Sequence, residues 1–67
     1  MFTPRTFAMG DHIKIDRELS NREGTFAAGH EFEIIGIHAG EGGALYDLRD
    51  HELRVLLEVP FADISWA

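Results

Sequence analysis

The apolar side chains of this chain fall in short runs, several of them alternating with polar residues, and glycines separate the runs singly or in pairs. That spacing is the punctuation of strands and turns. His12-Ile13-Lys14-Ile15-Asp16 follows Gly10-Asp11 and alternates as a strand with one buried face does, so Ile13 and Ile15 are predicted to point inward. From Arg17 to Gly29 the residues Ser20, Asn21, Gly24 and Gly29 predict a long loop. Leu19 and Phe26 are too apolar for that loop to stand free, so it should fold back over one end of the core. Glu31 to Ile37 reads as a β-branched strand, Ala39 to Gly43 as a hairpin loop, and Ala44 to Arg49 as the returning strand. A turn at Asp50-His51-Glu52 leads into a strand from Leu53 to Val59, ended by Pro60, which has no N–H to donate. Phe61-Ala62-Asp63-Ile64 has room for one short helical turn, and Ser65-Trp66-Ala67 for a closing strand.

Sixty-seven residues suit one domain, read as an N-terminal arm over 1–9 and a folded unit over 10–67. A chain of this size buries only roughly 60% of its unfolded surface, so help from a partner subunit is expected. The absence of cysteine removes disulfides and thiolate metal sites. A net charge of −6 with scattered Lys and Arg opposes binding to nucleic acid or to anionic membranes. No apolar run approaches the roughly 20 residues of a membrane helix, and Met1-Phe2-Thr3-Pro4-Arg5 lacks a signal-peptide core, so a cytoplasmic protein without a cofactor is expected.

A strand, a long folded-back loop, a three-strand meander, one helical turn and a closing strand make an all-β order, that of a small five-stranded SH3-like barrel. Phe7-Ala8-Met9-Gly10-Asp11-His12-Ile13 resembles the opening of many small SH3-like domains, and Leu57-Glu58-Val59-Pro60-Phe61-Ala62-Asp63-Ile64 resembles their closing strand and helical turn. The opening is also similar to that of the plasmid-borne type II dihydrofolate reductases, tetramers whose pore is built from a Val-Gln-Ile-Tyr strand of every subunit. Setting Pro60 against the Pro after that motif brings Leu56-Leu57-Glu58-Val59 onto it. Leu57 then stands where the Gln belongs and Val59 where the Tyr belongs, so the resemblance implies kinship of fold without the activity.

Placing Gly36 opposite Tyr46, with the second turn at 50–53, puts Phe32, Ile34, Tyr46, Leu48, Val55, Leu57 and Val59 on one face as the core. The opposite face then carries Glu33, Asp47, Arg49, Arg54 and Glu58 together with Ile35, Ile37, Leu45 and Leu56. Those four apolar residues form a candidate interface, bordered by charges that can pair across a two-fold axis. The alternative is that a coiled small barrel covers them with its own loop and arm.

Four histidines raise the question of a metal. His30 and His38 bracket one strand, and eight residues at about 3.3 Å each set them roughly 26 Å apart. Across the meander, His51 falls close to His30 and Glu31 with Glu52 adjacent, so His30, Glu31, His51 and Glu52 are the candidate ligands, set against their reading as solvated turn residues, which is preferred. Ser20 and Ser65 have no evident base and no strained elbow, and Glu23, Glu31 and Glu33 read as solvated carboxylates. Gly40-Glu41-Gly42-Gly43 lacks the Lys and following helix of a phosphate loop. The aromatics are not interleaved with basic residues in a nucleic-acid surface, and Trp66 is read as a core or interface residue.

The reading that emerges is a non-catalytic, SH3-like protein-interaction or accessory module whose partner includes its own copies as a homo-oligomer. The alternative is a small-molecule or enzymatic site formed at a subunit interface, as in the type II reductases. Nucleic-acid binding ranks third on charge.

Overall fold

A computed structural model describes residues 7–67. Seven strands and one turn of 3-10 helix follow one another: β1 (His12–Ile15), β2 (Leu19–Asn21), β3 (Gly24–Phe26), β4 (Glu31–Gly40), β5 (Gly43–Arg49), β6 (Val55–Pro60), the 3-10 turn (Phe61–Asp63) and β7 (Ile64–Trp66). Five strands form one sheet in the order β6-β5-β4-β1-β7, and β2 and β3 form a separate two-stranded sheet. The fold is therefore all-β. The two edge strands of the larger sheet, β6 and β7, are not paired with each other.

Each run of alternating residues becomes a strand for the expected reason. Ile13 and Ile15 are fully buried while His12 and Lys14 face water, so β1 has one apolar face. Pro60 begins the 3-10 turn from extended geometry, with φ near the value its ring imposes. The region from Arg17 to Gly29 does fold back over the core, but it contains a hairpin. Leu19 pairs with Phe26, and Phe26 packs its ring 5.3 Å from that of Phe32. Alternation over three residues is too short to announce such strands. The turn between β4 and β5 is also tighter than expected: both strands run on to the Gly40–Gly43 pair, leaving only Glu41 and Gly42 between them.

The main departure from expectation is register. Gly36 lies opposite Asp47, and Ile37 lies opposite Tyr46. A bulge between Ile34 and Gly36 gives β4 one extra residue, Ile35. A second irregularity lies on the other side of β5, where Tyr46 pairs with Val59 and Leu48 with Leu56, so that Leu57 and Glu58 together face Asp47. Glu58 takes up the strain of this bulge at φ 59. Each bulge reverses the alternation beyond it.

The core consequently consists of Phe7, Ile13, Ile15, Phe26, Phe32, Ile34, Tyr46, Leu48, Leu56, Val59 and Ile64. Leu56 is a core residue, whereas Leu57, placed inside by simple alternation, is 65% exposed. Phe7, assigned to the arm by sequence, packs edge-on against Tyr46 with ring centroids 5.8 Å apart. The part of the arm that precedes it lies outside the described residues.

Candidate functional site

Among the described residues β6 is an edge strand and β2 pairs with β3 alone, so each has one side without a strand neighbour there. Between these two strands lies a groove of about 600 Å3, lined on one wall by Leu19 to Glu23 and on the other by Val55 to Pro60. Two contacts hold the walls in place. At one end the Asn21 side chain accepts the N–H of Glu23 at 2.8 Å, fixing the hairpin turn, and donates from Nδ2 to the carbonyl of Val55 at 2.7 Å. At the other end Arg17 pairs with Asp63 at 3.0 Å. Between these tethers project Leu57 and the carboxylate-bearing Glu58 on the bulge of β6, opposite Arg22 and Glu23 at the hairpin turn. Its volume falls within the range of sites that take small molecules or peptide segments.

The candidate interface of Ile35, Ile37, Leu45 and Leu56 does not survive as one patch. Leu56 pairs with Leu48 inside the core, and Ile37 shares the inner face with its partner Tyr46, although it lies far enough along the strand to be 41% exposed. Leu45 and Ile35 remain half-buried, Leu45 on the outer face and Ile35 in the bulge. The bulge at Ile35 moves Ile37 across the sheet, and the second turn, one residue longer than the expected 50–53, sets Val55 opposite Arg49 and so brings Leu56 inside opposite Leu48. What the outer face does carry is a polar row: Arg49 Nη2 lies 3.7 Å from Glu33, and His38 Nε2 lies 3.2 Å from Asp47 Oδ1.

The histidine end is organised around a residue that the sequence reading treated as turn filler. Asp50 is buried, and its Oδ1 accepts the N–H groups of Glu52 and Arg54 at 3.0 and 2.8 Å. Its Oδ2 accepts from Arg54 Nε at 3.0 Å and lies 3.0 Å from His30 Nε2. Burial pushes this carboxyl up, but the Arg54 N–H, the His30 ring, the Glu52 N–H and the Arg54 guanidinium outweigh it and hold the group down at about 2. Arg54 also lies 4.7 Å over the Phe26 ring. Thus His30 turns toward Asp50, and Glu52 lies 3.4 Å from Arg54, while His51 and Glu31 line a smaller cleft with His12 and Glu33. Among the described residues no group of three His, Asp or Glu side chains is close enough to hold a metal, so His30, Glu31, His51 and Glu52 do not form one site.

At the opposite end Phe7 lies beneath two partly exposed rings, with centroids 5.5 Å from Phe61 and 4.5 Å from Trp66. Trp66 is thus attached to the core, as its amphipathic ring suggested. Ser65 donates to Asp16 at 2.7 Å, and Ser20 lies on the groove wall. The segment aligned with the reductase motif has Leu57 exposed, Glu58 in a left-handed conformation and Val59 buried.

Sequence reasoning missed Leu57, Asn21 and Asp50 as positioning residues. Asn21 and Asp50 had a readable signal, since each precedes a turn whose N–H groups a short polar side chain can accept. Leu57 had none, because its exposure depends on the length of the turn that sets Leu56 opposite Leu48. Among the described residues no helix is long and apolar enough to cross a membrane. No protein-family model matches the chain, and neither the curated proteins nor the solved structures give a significant match.

Proposed function

We propose that this chain is a non-catalytic protein-interaction module, an accessory unit of SH3-like architecture. The order of strand, hairpin-bearing loop, meander, 3-10 turn and closing strand supports that architecture. The observation that carries the functional reading is the groove between β2 and β6, a concave surface with apolar Leu19, Val55 and Leu57 beside charged rims. Ser65 and His30 are engaged in hydrogen bonds, Ser65 with Asp16 and His30 with Asp50.

Self-association is a second reading, favoured by Phe61 and Ile37, which are 50% and 41% exposed near the Phe7–Tyr46 contact. Sedimentation equilibrium with the wild type and Ile37→Asp tests it. A wild-type oligomer that dissociates in the variant supports self-association through this end. A wild-type monomer throughout the micromolar range removes both self-association and any enzyme site shared between subunits.

A further inference from the structure

The groove between β2 and β6 differs from an ordinary surface cleft in that both of its walls are strands with an unpaired side. An unpaired strand side is a row of N–H and C=O groups set at the spacing of an extended chain, and it accepts another strand readily. The Val55 carbonyl is engaged by Asn21 and Pro60 has no N–H, so an extended segment of about four residues, roughly 13 Å, can lie along β6 between them. Leu57 and Glu58 have no register partner on β5, because the bulge carries them past Asp47. Their side chains stand at the rim, where an incoming strand would meet them. The bonds Asn21–Val55 and Arg17–Asp63 link the two walls at the ends of the groove, so a segment bound there lies along β6 between them.

Charge selects among possible strands. Arg17 is neutralised by Asp63. Of the remaining charged groups on the walls, Glu23 and Glu58 are two carboxylates against the single guanidinium of Arg22, and among the described residues none of the three has an ion pair. The chain as a whole carries −6. A cationic segment is therefore favoured both at encounter and at the rim.

We propose that this groove binds an extended, basic segment of a partner protein by strand addition to the open side of β6, with an apolar side chain of the segment seated on Leu57 and a Lys or Arg beside Glu58. The proposal rests on the reading of the chain as a protein-interaction module and specifies its partner.

The test uses the folded protein and a phage-displayed library of random twelve-residue peptides, selected in parallel against the wild type and against Leu57→Lys. Leu57 is 65% exposed, so that variant keeps its fold, which its melting temperature verifies. Peptides enriched on the wild type alone should alternate apolar and polar residues, carry net positive charge and lack internal proline. Resynthesised, they should shift the amide resonances of β6 and β2 and slow hydrogen exchange at Leu57. Glu58→Lys should weaken them up to about fivefold, the scale of one exposed ion pair.

Peptides that bind the wild type and Leu57→Lys equally, or that shift resonances around Phe61 instead, overturn the strand-addition site while leaving the module reading standing. Acidic or proline-rich winners at the groove also overturn it. A dimer that forms without peptide and protects the Leu57 amide makes a second copy the occupant and overturns the proposed partner. Absence of any enriched peptide, together with a monomeric protein, removes the module reading itself.

Discussion

Asp47 accepts the backbone N–H of Glu58 through Oδ1 at 3.0 Å, so one carboxylate closes the bulge that returns Val59 to the core. Glu58 sits at φ 59, a conformation that costs a non-glycine residue of order 1 kcal/mol and persists where its surroundings hold it. Replacing Asp47 with Ala leaves that N–H without its acceptor and is expected to cost about 1–2 kcal/mol. Urea denaturation should show a lower midpoint with an unchanged slope. A midpoint equal to that of the wild type would mean that the bulge holds without the bond.

Gly36 lies on the other side of the same residue. A Cβ built there would be 2.7 Å from Asp47 Oδ2, inside van der Waals contact. Gly36→Ala is expected to destabilise the protein by about 1–3 kcal/mol. Because the obstruction is the Asp47 side chain, the double variant with Asp47→Ala should be more stable than the sum of the single effects requires. Strict additivity would place the cost in the backbone instead.

Leu56 and Leu57 provide a direct check of register. Leu56 is buried and Leu57 is 65% exposed. Leu56→Ala should cost about 2–5 kcal/mol, and Leu57→Ala should stay within roughly 0.5 kcal/mol of the wild type. The register with the second turn at 50–53, which sets Val55 opposite Leu48, requires the reverse order, so thermal unfolding of the two variants distinguishes the two arrangements.

The strands themselves were legible because their alternation follows from burying one face, and Ile13, Ile15, Phe32 and Ile34 all lie where that argument puts them. The partition of the meander after Ile34 was not legible. A bulge adds one residue without changing composition, and its local cause is a relation between Gly36, Asp47 and Glu58 that only the paired strands bring together. The candidate interface failed at Ile37 for that reason, and at Leu56 because the turn before Val55 is one residue longer than its composition indicates. The histidine cluster was partly legible: proximity of His30 to the second turn was correct, but its partner is Asp50, whose role depends on the shape of that turn.

Asp50 makes stability depend on acid. Its carboxyl is held at about 2 in the folded chain against 3.8 without the fold, so its contribution is complete above about pH 4. That contribution should decline as the pH falls toward 2, and Asp50→Asn should flatten this part of the profile. At neutral pH Asp50→Ala should cost about 3 kcal/mol, the lower end for a broken buried pair, because Arg54 is one-third exposed. Chemical denaturation between pH 2 and 7 measures both effects. An Asn variant with the same slope as the wild type would assign the acid sensitivity to other carboxylates.

The turn that Asp50 organises contains a second left-handed residue, Leu53, at φ 66 with 71% of its surface exposed. Glycine adopts this conformation without the Cβ penalty, and the exposed side chain contributes little burial. Leu53→Gly should therefore raise stability by up to about 1 kcal/mol after its greater unfolded-state entropy is counted. A fall in melting temperature would show that the leucine makes a stabilising contact.

The pairing of β1 with β7 has a consequence for the order of assembly. Ile13 is matched with Trp66 and Ile15 with Ile64, so this ladder joins residues about fifty positions apart, whereas β4, β5 and β6 pair with immediate neighbours in the chain. Loop-closure entropy makes the distant ladder the costly one to form early. During synthesis the meander can pair as it emerges, while one side of β1 waits for β7, which is made last among these strands. Until Trp66 clears the ribosome, the growing chain carries an unpaired β1 side in addition to that of β6. The interval before that closure is when this protein is most exposed to pairing with the wrong strand.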